Sequence, residues 1–348
     1  MTLYSSEGAT LHRGSGDTFF NADATRIKPV PRLSITKLVR PMRGLSGSYL
    51  IEGVDGRHYV AKLKGNPKGT RTLINELLGS LILRRLGLPA AEGVILSLDE
   101  TALRDSNWPT VGSGNSKRKA EAGFHFGSTF PGNCNKDVVY DFLPTAVNNL
   151  VANHEAVNMV LFADIWLGRT EARQAVFTRN TDRKFNLTLI DNSMLFGGSH
   201  WVFNAKPEQA CYFDKGIYLG AKTINPTQAP FSGVANILCA RRAEIFQLIP
   251  EEWRSEEANT LYSVLDELVD RARSLVPDKY DRGLQFGTGE ILRWSAEQLK
   301  SSALTQPQEP ASALSGLTRK PVQPELPGGG DSKSLARLSA SSAIVAAS

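Results

Sequence analysis

The chain has 348 residues, of which 41% are hydrophobic and 22% are charged, and its formal net charge is +5. This composition is typical of a globular protein with a sizeable core and excludes a fibrous or wholly disordered chain. The basic excess is small. The single tight basic run, Lys117–Lys119, has no aromatic residues interleaved with it, so we do not expect nucleic-acid binding.

The sequence shows no signal for secretion or membrane insertion. The amino-terminal segment lacks a long apolar run behind a basic start, and no stretch approaches the roughly 20 apolar residues of a membrane helix. We therefore expect a soluble, cytoplasmic protein. Three widely spaced cysteines, Cys134, Cys211 and Cys239, form no CxxC pair, so we expect inert thiols rather than disulfides or a zinc site.

Composition divides the chain into three parts. Residues 1–30 are polar and rich in Gly, Ser and Thr, and we predict that they are poorly ordered. Residues 302–348 are rich in Pro and Gly and contain no aromatic residue, so we predict a disordered tail. The segment 31–301 is predicted to be one domain, with a small lobe over about 31–142 and a larger lobe over about 143–301.

The first half of this domain has the pattern of a small antiparallel β sheet. RLSITKLVR alternates like a half-buried strand, and SYLIEG and HYVAKLKG are two strands joined by an Asp-Gly turn. The segment TLINELLGSLILRRLG repeats apolar residues at helical spacing, and Gly87 and Pro89 end the predicted helix. GVILSL is typical of a fourth strand, and residues 104–122 are predicted to be a loop.

From Pro144 onward the pattern becomes mainly helical. AVNNLVANHEAVNMVLFADIWLG predicts one long or two short helices, and AVFTRN and FNLTLID predict two strands. A later helix is expected to carry Leu261, Leu265, Leu268 and Leu275 on one face. The expected fold class is therefore α+β, with a small antiparallel β lobe plus one helix and a larger, mainly helical lobe.

A glycine-rich turn lies between the first two predicted strands. Glycines allow the backbone to approach a ligand closely and to present N–H groups to phosphate oxygens. We therefore take Gly44, Ser46, Gly47 and Ser48 as candidate phosphate-binding residues. The chain has no GxxxxGK[ST] sequence, which excludes a Walker-type P-loop.

Two charged residues are candidates for a buried pair. Lys62 lies in the strand HYVAKLKG and shares a face with Lys64, so a solvated strand face is the alternative interpretation. Glu76 lies among small or apolar helical neighbours, where a carboxylate needs a cationic partner. A contact between Lys62 and Glu76 would match the strand lysine and helix glutamate of protein kinases. A partly exposed Glu76 stays open as the alternative.

Several carboxylates and amides follow in the second half of the domain. An apolar strand ends at Asp191, just before Phe and two Gly, and such a carboxylate suits Mg²⁺ binding. Glu171 and Gln174 lie in a polar loop directly after a predicted buried helix. Asp164, on that helix, is a rival catalytic carboxylate, although we interpret it as structural and as a partner for the loop.

Four segments together resemble the HipA-like kinases, bacterial protein-kinase-fold proteins related to the serine/threonine kinase toxin HipA. They are YVAKLKGNPKGTRTLINELLGSLILRRLGLP, FHFGS, WLGRTEARQAVF and LIDNSMLFGG. The resemblance is clear over about residues 33–201 and implies a bilobal kinase-like fold, ATP and Mg²⁺ as ligands, and phosphoryl transfer to Ser or Thr. It also implies that Lys62 holds nucleotide phosphates, that Glu76 orients Lys62, and that Asp191 binds metal.

The predicted catalytic loop departs from the pattern of these relatives. Their loop resembles N-T-D, with a catalytic Asp, whereas this chain has Arg169-Thr170-Glu171. Their later metal-binding Asn has no clear counterpart, since Val176 stands near its place, and Gln174 is the candidate substitute. We therefore predict Glu171 as the catalytic carboxylate of a kinase that transfers phosphate slowly to an unknown protein substrate.

Two other classes of function stay open. The first is a pseudokinase that binds a nucleotide or a protein partner without catalysis, which the changes at Arg169 and Glu171 favour. The second is a small-molecule phosphotransferase, because a fold does not determine its substrate. We do not expect a zinc protease, because Asn158 stands where the second His of HExxH is required after His154.

Overall fold

The computed structural model describes residues 27–42, 47–66, 68–99, 109–112, 117–204, 207–218, 229–254 and 257–274. The predicted tail, 302–348, lies outside the described residues, and so does nearly all of the amino-terminal segment 1–30. The division of the chain into these parts and lobes therefore stays a prediction.

Strands predominate in the first part of the described chain, and helices predominate in the last part. The strands are β1 (Arg32–Pro41), β2 (Tyr49–Gly53), β3 (His58–Lys62), β4 (Gly93–Leu98), β5 (Thr110–Val111), β6 (Arg118–Lys119), β7 (Gly123–Thr129), β8 (Val139–Tyr140), β9 (Gln174–Arg179) and β10 (Phe185–Ile190). The α-helices are α1 (Arg71–Arg85), α2 (Ala156–Trp166), α3 (Ala229–Ala240), α4 (Arg242–Leu248), α5 (Glu251–Arg254) and α6 (Ala258–Ser274). Short 3₁₀ helices lie at Thr145–Leu150, Gly198–His200, Pro207–Ala210 and Lys215–Tyr218.

Five strands close into a small barrel in the order β1, β2, β3, β7 and β4. All neighbouring pairs are antiparallel except β1 and β4, which pair in parallel with Leu33 opposite Leu96. The predicted antiparallel sheet is confirmed for β1, β2 and β3, but the description of the whole β lobe as antiparallel is wrong at the β1–β4 pair. The parallel pair arises because β7, which was not predicted as a strand, pairs with both β3 and β4 and brings β4 next to β1.

The barrel has its own small core. Alternate residues of its strands point inward, as the period of two requires. They include Ile35, Ile51, Tyr59 and Ala61, each at most 1% exposed. The predicted loop 104–122 also contains a short hairpin, because β5 and β6 pair through Thr110–Lys119 and Val111–Arg118 contacts.

Helix α1 packs outside the barrel and is almost entirely buried. It ends as the sequence predicts, since Gly87 follows it with a φ of +74° that an L side chain rarely adopts. Its apolar residues Leu73, Ile74, Leu77 and Leu78 join the larger hydrophobic cluster of the protein rather than the barrel core. The helix therefore connects the barrel firmly to the helical region.

The region after residue 144 surrounds a second sheet in the order β10, β9 and β8. The predicted helical stretch there divides into the 3₁₀ helix Thr145–Leu150 and α2. Helix α6 packs on α2, with Trp166 Nε1 donating a hydrogen bond to the Leu268 carbonyl at 3.0 Å. Among the described residues, no helix is both long and apolar enough to span a membrane.

Candidate functional site

Lys62 lies at the end of β3, where the chain leaves the barrel. Its side chain is 14% exposed, and its ammonium group donates hydrogen bonds to Glu76 Oε1 and, at 2.7 Å, to Asp191 Oδ1. The predicted pairing of Lys62 with Glu76 is confirmed, and Lys62 bridges two carboxylates rather than one. Lys64 has a separate partner, Glu252, at 3.2 Å, so the two lysines do not form one functional face.

Glu76 reaches the site from the middle of α1 and is 2% exposed. Its Oε2 accepts a hydrogen bond from the backbone N–H of Asn192 at 2.9 Å. Gly79 allows this close approach, because a Cβ at that position would lie 2.6 Å from a Leu195 methyl group and 2.7 Å from Asn192 Cβ. The absence of a side chain at Gly79 therefore sets how near α1 lies to the segment after β10.

Asp191 follows the last residue of β10 and has a left-handed backbone, with a φ of 56°. Its Oδ1 accepts a hydrogen bond from Ser193 Oγ at 2.6 Å in addition to the bond from Lys62. The left-handed backbone of Asp191 turns the chain at the end of β10. The Asp191 carboxylate thereby lies near both α1 and the end of β3, where Lys62 binds it.

These charged groups shift one another's pKa values. Burial alone would raise the pKa of the Asp191 carboxyl, but Lys62 and the Ser193 hydroxyl hold it well below its usual range. Burial raises the pKa of Glu76 and repulsion from Asp191 adds to the rise, although Lys62 and the N–H of Asn192 oppose it. Burial would lower the pKa of Lys62, but its two carboxylate partners raise it. Lys62 is therefore charged at neutral pH.

Asn75 connects α1 to the segment after β10 and was not among the predicted site residues. Its Nδ2 donates to the carbonyl oxygens of Ser193 at 2.8 Å, Leu195 at 3.0 Å and Gly198 at 3.1 Å. Its Oδ1 accepts a hydrogen bond from Trp201 Nε1 at 2.7 Å. The sequence does contain a signal for Asn75, because its amide lies among apolar residues of α1. A polar group that is buried in this way requires hydrogen-bond partners.

Arg173 and Asp164 form a buried ion pair beneath the loop that joins α2 to β9. Arg173 Nε donates to Asp164 Oδ2 at 2.7 Å, and a second bond joins Arg173 Nη2 to Asp164 Oδ1. Arg173 also donates to Asn192 Oδ1 at 2.9 Å. These contacts support a structural role for Asp164, which is fully buried, rather than a catalytic one.

Arg169 is the second buried arginine of this loop and is 1% exposed. It donates to the Asp191 carbonyl at 2.9 Å and to the Ala172 carbonyl at 3.0 Å. Burial lowers the pKa of Arg169 to about 10, and the nearby Arg173 contributes to the decrease. Arg169 therefore still carries a positive charge at neutral pH, directly behind Asp191.

Glu171 and Gln174 are not drawn into this network. Glu171 is exposed in the loop after α2, and no described residue forms a hydrogen bond or ion pair with it. Gln174 is the first residue of β9, opposite Ile190, rather than part of the polar loop, and its side chain is also exposed. The structure thus brings Lys62, Glu76 and Asp191 together but leaves Glu171 and Gln174 unsupported.

The glycine-rich turn is described only in part. Gly44 and Ser46 lie outside the described residues. Gly47 has a φ of +62°, and a Cβ there would lie 3.8 Å from Val111 Cα, so the β5–β6 hairpin packs close to the turn. Ser48 precedes Tyr49, which pairs with Ala61, and the end of the turn therefore lies next to Lys62.

The structure brings the two predicted Mg²⁺ ligands to neighbouring strand ends, because Gln174 lies opposite Ile190, the residue before Asp191. Mg²⁺ requires near-octahedral oxygen ligands and is usually held by one or two carboxylates together with substrate phosphates. Asp191 Oδ1 is already bonded to Lys62 and Ser193. Val176 is a buried apolar residue of β9, whereas the exposed Gln174 carries an amide oxygen, the ligand type that an Asn provides to Mg²⁺ in protein kinases. Among the described residues, no group of three or more His, Cys, Asp or Glu side chains could hold a metal ion.

Comparison with known proteins supports the predicted resemblance. A family model described as HipA-like kinase matches residues 35–196, the segment that contains Lys62, Glu76, Glu171 and Asp191. The predicted resemblance to HipA-like kinases is confirmed over this segment, and no curated protein matches the chain.

Two solved structures show a more distant similarity. The Golgi casein kinase with Mn/ADP bound has 10% identity and a TM-score of 0.36, over 72% of this chain and 74% of that chain. A second structure of the Golgi casein kinase has 10% identity and a TM-score of 0.34, over 72% and 75% of the two chains. We base no conclusion on TM-scores this low.

Proposed function

We propose that this protein has a bilobal kinase-like fold and binds ATP where Lys62, the end of the glycine-rich turn and Asp191 meet. The observation that carries the proposal is the bridge from Lys62 to both Glu76 and Asp191. A buried lysine held in place by two carboxylates is a preorganised cation for phosphate oxygens. Glu76 acts as a positioning residue, and the backbone around Gly47 and Ser48 offers N–H groups to the phosphates.

For chemistry, we propose slow phosphoryl transfer to a serine or threonine hydroxyl of a protein, which includes this chain itself. Glu171 is the candidate base that accepts the proton of the attacking hydroxyl. Glutamate has one methylene more than aspartate, and a misplacement of about 1 Å can lower a rate by about 10²-fold. Asp191 and Gln174 would hold a Mg²⁺ ion together with the nucleotide phosphates, and the ion would offset the negative charge of those phosphates.

The alternative is a pseudokinase that binds a nucleotide and presents its surface to a protein partner. The observation that favours it is the exposed, unbonded state of Glu171 among the described residues. A catalytic carboxylate is normally held within about 0.5 Å of its working position by neighbouring groups. Arg169 and Arg173 fix the backbone of the loop through their own contacts but not the Glu171 side chain.

A thermal-shift titration with ATP, followed by a radiolabelled phosphoryl-transfer assay, tests the proposal. We expect ATP to raise the melting temperature of the wild type, and Lys62→Ala to abolish the rise. Lys37→Ala, which changes an exposed lysine of β1, is the matched control and should behave like the wild type. If ATP does not stabilise the wild type at any concentration, the nucleotide-binding proposal is wrong.

The transfer assay separates the enzyme from the pseudokinase. We expect Glu171→Asp to raise label incorporation, either alone or together with Arg169→Asn, because the shorter carboxylate suits a loop shaped for Asp. A fast wild type that is slowed by Glu171→Asp would show a loop adapted to Glu. No incorporation by any variant that still binds ATP would favour the pseudokinase.

A further inference from the structure

The Asp191 carboxylate binds its protein donors through only one of its two oxygens. Asp191 Oδ1 accepts hydrogen bonds from Lys62 Nζ at 2.7 Å and from Ser193 Oγ at 2.6 Å, and the Ser193 N–H donates to the same oxygen at 3.4 Å. Asp191 Oδ2 accepts no hydrogen bond from any residue that the structure describes. The side chain is 22% exposed, compared with 2% for Glu76. Oδ2 is therefore the oxygen that can bind a ligand.

Ser193 is itself held in place by a contact with α1. It is buried, and its carbonyl oxygen accepts a hydrogen bond from Asn75 Nδ2 at 2.8 Å. The 2.6 Å distance from its hydroxyl to Asp191 is typical of a bond from O–H to a carboxylate, which is roughly twice as strong as a neutral hydrogen bond. Ser193 therefore grips the Asp191 carboxylate from a position that α1 fixes.

Lys62 and Ser193 differ in how fully they are committed to Asp191. The Lys62 ammonium group also binds Glu76, and its proposed role is to bind phosphate oxygens as well. The Ser193 hydroxyl donates to Asp191 alone within the described part of the chain. Arg169 holds only the main chain of Asp191, through the carbonyl oxygen at 2.9 Å. Ser193 is therefore the donor that holds the carboxylate and has no other partner to serve.

We infer that Ser193 is a positioning residue for a divalent cation at this site, because its hydroxyl holds Asp191 Oδ1 and leaves Oδ2 as the oxygen that binds Mg²⁺ together with the nucleotide phosphates. The inference rests on the proposed function, namely that the site binds a nucleotide. Groups that hydrogen-bond a metal-binding carboxylate typically contribute about 10–100-fold to the affinity for the metal. Ser193 carries no charge of its own, so removal of its hydroxyl should change the metal-dependent part of nucleotide binding and spare the rest.

Isothermal titration calorimetry of the full-length protein with a non-hydrolysable ATP analogue, in EDTA and in MgCl₂, tests this inference. The quantity compared is the gain in affinity from EDTA to MgCl₂, which should be at least about tenfold for the wild type. Ser193→Ala should bind the analogue in EDTA within about twofold of the wild type, but its gain in MgCl₂ should be at least about fivefold smaller. Ser263→Ala, which removes a hydroxyl from an exposed position of α6, is the matched control and should keep the full gain.

Two further variants show whether the hydroxyl of Ser193 is responsible. Ser193→Thr keeps the hydroxyl and should retain most of the gain in MgCl₂. Ser193→Cys keeps nearly the same volume but has only a weak S–H donor, so it should lose most of the gain. Circular dichroism checks the fold of each variant, and if Ser193→Ala fails to fold, Ser193→Cys and the wild type decide.

The possible failures of the inference and of the proposed function are distinct. A full gain in Ser193→Ala, or a loss of affinity that is equal in EDTA and in MgCl₂, would overturn the role of Ser193 and leave the proposed function intact. Equal affinity of the wild type under both conditions would likewise overturn the inference alone. No binding of the analogue by the wild type under either condition would overturn both.

Discussion

The two halves of the candidate site are built very differently. On one side, Lys62 and Glu76 are buried and bonded to Asp191, and the backbone behind them is held by Arg169. On the other side, Glu171 is exposed and has no bonding partner among the described residues. The first half is held by tertiary contacts, whereas the second half depends on a side chain that no described residue binds.

This difference separates nucleotide binding from phosphoryl transfer. Binding depends on charges that exist before the ligand arrives, and the network around Lys62 supplies them. Transfer depends on a carboxylate placed to within a fraction of an ångström, and nothing in the described structure places Glu171 so closely. We therefore expect variants in the first half to change stability and affinity, and variants of Glu171 to change turnover alone.

Lys62→Met should have the largest effect on stability. It leaves Glu76 and Asp191 buried close together without their shared cation, and the loss of one partner from a buried ion pair costs about 3–5 kcal/mol. Urea denaturation measures the change in the free energy of unfolding. The exposed lysine control, Lys37→Met, should change it by less than about 0.5 kcal/mol.

The same experiment becomes sharper as a double-mutant cycle. Glu76→Leu alone should cost less than Lys62→Met, because Lys62 keeps Asp191 as a partner. The combined variant should be more stable than the sum of the two single losses by about 1 kcal/mol or more. Strict additivity would show that the contact between Lys62 and Glu76 contributes nothing to stability.

Asn75→Ala should lower the free energy of unfolding by about 2–3 kcal/mol. The substitution leaves three carbonyl oxygens and the Trp201 N–H without their buried partner, and unsatisfied buried groups are costly. It should also weaken ATP binding, because α1 and the segment after β10 lose their tie. Asn135→Ala, at an exposed position, is the control. Equal stability of these two variants would contradict the role of Asn75.

Gly79→Ala should destabilise the protein by about 1–2 kcal/mol, although alanine favours a helix more than glycine does. The added methyl group has no space, since Leu195 and Asn192 lie within 2.7 Å of its position. Thermal unfolding shows directly whether the variant is less or more stable than the wild type. A more stable Gly79→Ala variant would show that α1 does not pack as tightly against the segment after β10 as described.

The contribution of Asp191 to the free energy of unfolding should depend on pH in the acid range. Its folded pKa lies below the unfolded value of about 3.9, so its contribution is present above about pH 4 and is lost as the pH falls further. The difference in unfolding free energy between the wild type and Asp191→Asn should therefore be about 1 kcal/mol smaller at about pH 3 than at neutral pH. A difference that does not change with pH would mean that Asp191 is not stabilised as a carboxylate.

Glu171→Ala should have the smallest effect on stability, less than about 0.5 kcal/mol, because the side chain is exposed and unbonded within the described structure. Differential scanning calorimetry of the variant and the wild type provides the comparison. A loss above about 1 kcal/mol would show that Glu171 is held by the protein. The contrast between the two halves of the site would then disappear.

Local patterns predicted most single elements but not the way they join. The strands β1 to β4, helix α1 and the pair β9–β10 have clear periodicities, and the apolar neighbours of Glu76 correctly indicated its pairing with Lys62. The parallel contact of β1 with β4 and the role of β7 could not be predicted, because long-range pairing leaves no periodic signal in a single strand. Similarly, the buried bonds of Arg169 depend on a carbonyl 22 residues away.

The most direct test of the account compares the ATP affinities of Lys62→Ala and Glu171→Ala with that of the wild type, by isothermal titration calorimetry. If one half of the site binds the nucleotide and the other half serves transfer, Lys62→Ala should weaken binding by at least about tenfold, and Glu171→Ala should stay within about twofold of the wild type. An equal loss in both variants, or full affinity in Lys62→Ala, would contradict the separation of binding from transfer.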